Sequence, residues 1–249
     1  VFMSEMKFPT EVIELPSKGL VYPKTSPLSS GKVEIKYMTA KEEDILTSPN
    51  LIQQGVALDM LLKSLIVDKS INLDDMIVGD KNAVLVGARI LGYGKNYECT
   101  IGDEEAVIDL TSLKEKWLDS KILNKPNENE VKYTLPMSKI KLTFKFIDGH
   151  MEKDIDTLNE SYEKIGESRV LTNRYKIQIS SVNGNRDEKE IHNFIDNAFM
   201  AGDSRAFREY VSEVEPDLDF VTQAQMESGE MKEVTVPMTV QFFWPSVKI

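Results

Sequence analysis

The sequence predicts an α+β protein, a mixture of helices and antiparallel strand pairs with two protruding β-hairpins. Apolar and polar residues alternate in paired segments around turns, as in residues 131–135 and 140–146 around Pro136. Segments with a helical spacing of apolar residues lie between these pairs, without the regular β-α-β order of a parallel sheet. The chain has 249 residues, 41% of them hydrophobic, which is enough for a buried core.

Four segments follow from these patterns, and we expect them to form one continuous globular unit. Proline and glycine residues at 15–23 predict turns near the start, and 125–130 is a polar linker. The segments are an N-terminal turn and helical segment (1–94), a hairpin with its linker (95–130), an α+β core segment (131–215) and a C-terminal hairpin (216–249).

The first segment contains three predicted helices. Thr39 and Glu42 have the spacing of a capping box, in which each side chain bonds the other residue's backbone amide. Asp80 is a good N-cap for the third helix, which is apolar nearly all round and therefore central. Gly55 weakens the second helix slightly, and two glycines, Gly92 and Gly94, end the third. The helices are predicted over 40–47, 51–65 and 81–91, after a short strand at 33–37.

The middle of the chain is predicted to alternate strands and helices. A hairpin spans 95–110, and Trp117 lies in a short helical piece after it. Thr143 and its neighbouring lysines face solvent from a strand. Ile177 and Ile179 mark a further strand. The predicted helices cover 150–166, 191–199 and a stretch capped by Asp203 or Ser204.

The helix at 150–166 carries an apolar stripe with a spacing of 4, 3, 4 and 3 residues, which would suit a coiled-coil seam. The stripe consists of Met151, Ile155, Leu158, Tyr162 and Ile165. Two heptads are too few to establish a coiled coil, so two interpretations stay open. The stripe either packs within this chain or binds a partner helix.

The C-terminal segment has the clearest pattern of the chain. Apolar positions alternate on both sides of a glycine-containing loop at 227–232, which predicts a long hairpin with one apolar face. Phe242, Phe243 and Trp244 follow as an aromatic cluster. This cluster either packs as a plug on the protein's own core or inserts into a partner, because aromatic residues dominate the energetics of interfaces.

The charge balance argues against nucleic acid and membranes as partners. The chain has 30 Lys and Arg against 41 Asp and Glu, a formal charge of -11, and so lacks the excess of cations that either partner favours. No apolar run approaches the length of a membrane span, and the first residues do not form a secretory signal. Cys99 is the single cysteine, which excludes an internal disulfide and fits a reducing compartment. We expect protein partners and no cofactor.

Two histidines are the best candidates for catalysis. An enzyme would need His150 or His192 beside a carboxylate or a nucleophile in a cleft. His150 is predicted in a loop and His192 on an exposed helix face, and neither has a nucleophile at a recognisable spacing. A small-molecule enzyme therefore remains an alternative only.

Arg205 and Arg208 are the candidate partner-binding residues outside the aromatic cluster. One interpretation is local pairing with Asp203 or Glu209 near the start of a helix. The other is a contact from Arg205 to a partner's carboxylate, for which a planar guanidinium offers two parallel hydrogen bonds.

Several blocks spread over nearly the whole chain support a resemblance to a known family. They lie at 9–19, 33–46, 79–82, 89–94, 181–184, 203–205, 216–219 and 242–245. Among them are Leu15-Pro16-Ser17-Lys18-Gly19, Gly79-Asp80-Lys81-Asn82 and Phe242-Phe243-Trp244-Pro245. With these blocks the chain resembles baseplate hub proteins of T-even-type tailed phages.

The resemblance implies a non-enzymatic hub subunit, or an assembly factor for the hub, in the baseplate of a contractile phage tail. Its partners would be other baseplate proteins or the tape-measure protein, and a homo-oligomer is compatible with this role. It would act in the host cytoplasm during assembly, and a hub subunit would stay in the virion tail. The alternative is a tail assembly chaperone that is absent from the mature virion.

The chain departs from this family at the tips of its two hairpins. Relatives often carry Cys-x-x-Cys pairs there, in a zinc-ribbon arrangement. Here Cys99 is followed three residues later by Gly102, and the second tip, at 225–229, has no cysteine. We therefore expect degenerate zinc-ribbon-like hairpins that hold no metal and depend on strand pairing and packing.

Overall fold

The computed structural model describes residues 9–243. Within this range the chain forms eight α-helices and eleven β-strands, which confirms the α+β class. The helices are α1 (Ala40–Thr47), α2 (Pro49–Gln53), α3 (Ala57–Leu65), α4 (Val78–Tyr93), α5 (Gly149–Glu163), α6 (Val170–Gln178), α7 (Glu188–Asn197) and α8 (Ala201–Val214). The strands are β1 (Thr10–Glu14), β2 (Lys32–Lys36), β3 (Asn96–Ile101), β4 (Glu104–Asp109), β5 (Lys114–Lys116), β6 (Val131–Thr134), β7 (Lys141–Phe144), β8 (Ile179–Val182), β9 (Asp217–Asp219), β10 (Val221–Met226) and β11 (Met231–Thr235).

The described strands form four antiparallel sheets. Two sheets have two strands each, β1-β2 and β5-β9, and a third has the order β6-β7-β8. The largest sheet has the order β11-β10-β4-β3, so the two predicted hairpins lie side by side. They join through β4 and β10, where Ala224 pairs with Ile108 and Met226 with Ala106. The second hairpin has a shorter loop than predicted, because β11 already begins at Met231.

Helix α4 lies at the centre of the N-terminal half, as its apolar composition predicts. The prediction that Asp80 caps this helix is wrong, because Ile77 holds the N-cap position and Asp80 lies in the first turn. Gly94, with φ 84°, ends the helix as expected, whereas Gly92 lies inside it. Gly79 allows a close approach, because a Cβ there would collide with the carbonyl oxygen of Pro216.

Three local predictions fail for identifiable reasons. Gly55 adopts φ 70°, so the predicted second helix is broken into α2 and α3. Trp117 follows strand β5, which pairs with β9, and does not lie in a helix. Ile177 belongs to α6, and only Ile179 enters strand β8. In the case of Trp117, the pairing of β5 with the distant strand β9 decides the local conformation.

One core connects all four predicted segments. Leu15, Ile108, Phe144 and Phe242, one from each segment, are at most 2% exposed and belong to the same cluster. Around Phe144 several rings pack edge to face, as aromatic pairs prefer. Thr143, which was predicted to face solvent, is buried, and its hydroxyl accepts a hydrogen bond from Ser181.

Candidate functional site

The carboxylate of Asp80 holds the first turn of the chain against helix α4. Asp80 is fully buried and accepts three hydrogen bonds: from the backbone amide of Ser17 (2.9 Å), the Ser17 hydroxyl (2.5 Å) and the Tyr22 hydroxyl (2.6 Å). The amide of Ile77 in turn donates to the Tyr22 oxygen (3.1 Å). Burial raises the pKa of Asp80 to about 6, although the hydrogen bonds from Ser17 and Tyr22 act in the opposite direction.

Several blocks of the resemblance meet on helix α4. Gly79 packs against the carbonyl of Pro216, and the side-chain amide of Asn82 donates to both oxygens of Asp217 (3.1 and 3.2 Å). The N-terminal end of α4 thus contacts both the turn at 15–19 and the segment that enters β9. Residues far apart in sequence therefore share one structural role, which is to fasten the turn at 15–19 and the segment that enters β9 to one helix.

Arg89 fastens the end of the described chain to the same helix. Its side chain is 1% exposed, and it donates from Nε to the carbonyl of Phe242 (2.9 Å), from Nη1 to Gly94 (3.0 Å) and from Nη2 to Asn96 (3.4 Å). The guanidinium also lies 5.3 Å from the Tyr93 ring centre. Burial lowers the pKa of Arg89. Sequence reasoning assigned Arg89 no role; the available signal was a charged residue inside an apolar helix.

The aromatic residues at the end of the described chain belong to the protein's own core. Phe242 and Phe243 are 0% exposed in a 3-10 turn, and Phe242 packs against Tyr97 with ring centres 5.2 Å apart. In this conformation the two rings offer no surface to a partner, which favours the plug interpretation for them. Trp244, the third member of the predicted cluster, lies outside the described residues.

Asp203 anchors a second turn, and the prediction that Asp203 or Ser204 caps α8 is wrong. Met200 holds the N-cap position of that helix. The carboxylate of Asp203 accepts hydrogen bonds from the backbone amides of Met137 (2.8 Å) and Ser138 (3.0 Å). Although burial acts to raise the pKa of Asp203, these hydrogen bonds lower it.

The two candidate arginines on α8 have partners within the chain. Arg205 Nε lies 2.8 Å from Oε1 of Glu209, one helical turn away, and its side chain is 76% exposed. Arg208 donates to the hydroxyls of Tyr175 (2.7 Å) and Ser204 (3.0 Å). The predicted pairing with Glu209 is therefore present for Arg205, which remains accessible at the surface, whereas the described partners of Arg208 are hydroxyl groups.

His150 lies in the first turn of helix α5, so its assignment to a loop is wrong. Its Nε2 is 2.8 Å from Oδ1 of Asp75, and this hydrogen bond raises the pKa of His150. The side chains of His150 and Asp75 are 55% and 52% exposed. His192 is partly buried and lies 3.8 Å from Oε1 of Glu188 on the same helix. Each imidazole has a carboxylate nearby, but the His150 pair lies open on the surface rather than in a cleft.

Cys99 lies on strand β3 and is half-buried, and burial raises the pKa of its thiol. Among residues 9–243, no group of three His, Cys, Asp or Glu side chains is placed to hold a metal ion. In the same range no helix is long and apolar enough to span a membrane.

The connection between α5 and α6 exposes large apolar side chains. We call Ile165, Val170 and Leu171 the α5–α6 tip; they are 67%, 55% and 43% exposed. The first residues of the predicted stripe are covered, since Met151 is buried and Ile155 and Leu158 are half-buried. The stripe therefore packs within the chain at its start and reaches solvent at its end.

The chain matches no family model, and no curated protein or solved structure is significantly similar to it.

Proposed function

We propose that this chain is a non-enzymatic component of a contractile phage tail, a baseplate hub subunit or hub assembly factor that acts through contacts with other tail proteins. The α5–α6 tip carries the proposal: its three large apolar side chains are exposed within seven residues of the chain, and exposed apolar surface is typical of sites of protein–protein interaction. The sequence blocks that resemble baseplate hub proteins support the proposal further, because several of them contact one another on helix α4 and so belong to one network of contacts within the fold.

The partner that best fits the α5–α6 tip is a helix of a hub or tape-measure protein. The tip ends an apolar stripe with coiled-coil spacing, and a partner helix could continue the packing that α6 begins. Arg205 offers a second accessible contact. It could bind a partner's carboxylate instead of Glu209, because an exposed ion pair contributes little to stability.

The direct test is complementation of a phage that lacks this gene. The double variant Ile165→Asp/Leu171→Asp should fold as the wild type, because both residues are exposed, and should fail to support tail assembly as seen by electron microscopy. Ser168→Asp, an exposed position in the same connection, is the matched control and should complement fully. Normal tails with the double variant would remove the tip from the proposal.

Mass spectrometry of purified virions separates the two forms of the proposal. A hub subunit should be present at a constant copy number relative to other baseplate proteins. An assembly factor or chaperone for the tape-measure protein should be found in infected cells and missing from purified particles. Normal tails made without the gene would contradict both forms.

A further inference from the structure

The turn between β6 and β7 presents exposed methionine next to the start of helix α8. Met137 is 62% exposed, and Met200, the N-cap residue of α8, is 42% exposed. Met137 lies across Gly202 in the first turn of that helix, where a Cβ would collide with its Sδ atom. The turn is fixed in this place, because the carboxylate of Asp203 accepts hydrogen bonds from two of its amides. The two methionines therefore belong to one apolar surface that is held in position from beneath.

Positive charge surrounds these methionines. Lys139 is exposed in the same turn, and Arg205, three residues after Gly202 on α8, has a side chain that is 76% exposed. Residues 131–147, which include β6, the turn and β7, contain four lysines and no Asp or Glu, although the whole chain has a formal charge of -11. We define the methionine patch as Met137, Lys139, Met200 and Arg205.

The two hairpins of the four-stranded sheet end in an acidic surface. Their loops, 102–105 and 227–230, contain three and two acidic residues respectively, and no Lys or Arg. The loops lie side by side, because the amide of Glu227 donates to the carbonyl of Glu105 (2.9 Å). Met231, the first residue of β11, is 55% exposed beside them. We call these two loops together with Met231 the acidic tip.

The methionine patch and the acidic tip are complementary in charge, and each contains exposed methionine. Opposite charges fix the orientation of two docking surfaces, and methionine adapts its shape to an irregular apolar partner. Lys232 and Glu233, which follow Met231, cancel each other in charge and leave the tip acidic. Arg205 is paired with Glu209, but an exposed ion pair on a helix contributes little and can exchange for another carboxylate.

The two surfaces meet between molecules rather than within one. Both are exposed in the described part of the chain, so neither covers the other there. A contact between different surfaces of two copies is heterologous, and it leaves a patch and a tip free for further copies. The net charge repels the copies at long range. At physiological ionic strength, however, charges farther apart than about 8 Å are largely screened, so that the adjoining groups decide the interaction.

We propose that the acidic tip of one copy docks on the methionine patch of a second copy, in a head-to-tail contact. The contact involves few side chains, and small interfaces are typical of weak complexes, so association should depend on protein concentration. This inference goes beyond the proposed function and does not depend on a role in phage tails, because both surfaces belong to this chain.

Sedimentation velocity of the full chain at increasing concentration tests the proposal. The wild type should associate as its concentration rises. Lys139→Glu/Arg205→Glu should weaken this association about tenfold or more, because like charges then face each other. Glu227→Lys/Glu230→Lys should do the same from the other side of the contact. An equimolar mixture of the two double variants should associate again, because the unchanged tip of the first meets the unchanged patch of the second.

Lys24→Glu/Lys41→Glu is the matched control. It changes the net charge by as much as the patch variant, at two exposed positions elsewhere, and should associate like the wild type. Circular dichroism verifies the fold of each variant. If the patch variant does not fold, Arg205→Glu alone takes its place, since this side chain extends into solvent.

Three results would overturn the proposal. The first is a wild type that stays monomeric at every concentration. The second is a folded double variant, of the patch or of the tip, that associates as strongly as the wild type. The third is a mixture of the two double variants that stays monomeric, which would show that the patch and the tip do not bind each other.

Discussion

Asp80 and Asp203 occupy the same place in helices α4 and α8. Each is the third residue of its helix, directly after a glycine, and each accepts hydrogen bonds from a turn far away in the sequence. Asp80 accepts from one amide and two hydroxyls, whereas Asp203 accepts from two backbone amides. Their pKa values move in opposite directions, upward for Asp80 and downward for Asp203.

The difference shows that the pKa of a buried carboxyl group depends on how completely it is removed from water as much as on the number of hydrogen bonds it accepts. Asp80 lies beneath the first turn with no cation in contact and with Asp217 nearby, so burial outweighs three donors. Asp203 holds a turn whose Met137 is 62% exposed, and Lys139 adds a favourable charge. The same position in a helix thus gives a raised pKa for Asp80 and a lowered pKa for Asp203.

The largest expected effect is that of Asp80→Ala. It leaves two hydroxyls and an amide without their acceptor in a site that water cannot readily enter, which should cost about 4 kcal/mol of unfolding free energy. Urea unfolding measures this loss. Asp44→Ala on the exposed face of α1 is the matched control and should change stability by less than about 0.5 kcal/mol. Equal effects of the two variants would refute the anchoring role of Asp80.

The pH dependence of stability should also distinguish Asp80. Its folded pKa of about 6 lies above the ordinary value of 3.8, so the native state binds the proton more tightly than the unfolded chain. The resulting stabilisation is fully present below pH 3.8 and is lost as the pH rises through about 6.

We therefore expect the wild type to gain stability on acidification from pH 7.5 to 5, by about 1.4 kcal/mol more than Asp80→Asn, because this range includes about one pH unit below the folded pKa. His150 also has a raised pKa and contributes with the same sign in this range, but it is present in both proteins and cancels in the difference. Parallel pH profiles of the two proteins would contradict a raised pKa at Asp80.

A smaller effect is expected for Asp203→Ala, about 2 kcal/mol. The amides of Met137 and Ser138 lose their acceptor, but water can reach this turn and replace part of the interaction. Amide hydrogen exchange at these two residues should accelerate, with little change at Ser17. A loss of stability as large as that of Asp80→Ala would show that both sites are equally inaccessible to water.

Local signals in the sequence predicted much of the fold. The capping box of Thr39 and Glu42 is present, and the hairpin at 95–110 turns at Gly102, where φ is 67°. The Asn183-Gly184 turn is also confirmed, with both residues at positive φ. These features depend on a few neighbouring residues, and their conformational preferences are strong enough to act alone.

Predictions failed where a distant partner was involved. Glu130 ends the predicted polar linker, yet it is buried and forms two hydrogen bonds with Arg186 (2.6 and 2.8 Å). The candidate site shows the same limit: Phe242 and Phe243 could have faced a partner or the core. Tertiary packing decides between these alternatives, because both rings are fully buried and Arg89 donates a hydrogen bond to the carbonyl of Phe242.

The amino-acid sequence alone determined the fold class, the hairpin turns and the periodic apolar faces, because each follows from steric and hydrophobic preferences over a few residues. Tertiary structure decided which acids are buried, which hairpins join and which aromatic residues the core encloses. These outcomes depend on contacts between segments far apart in the chain, whose energies no local pattern contains.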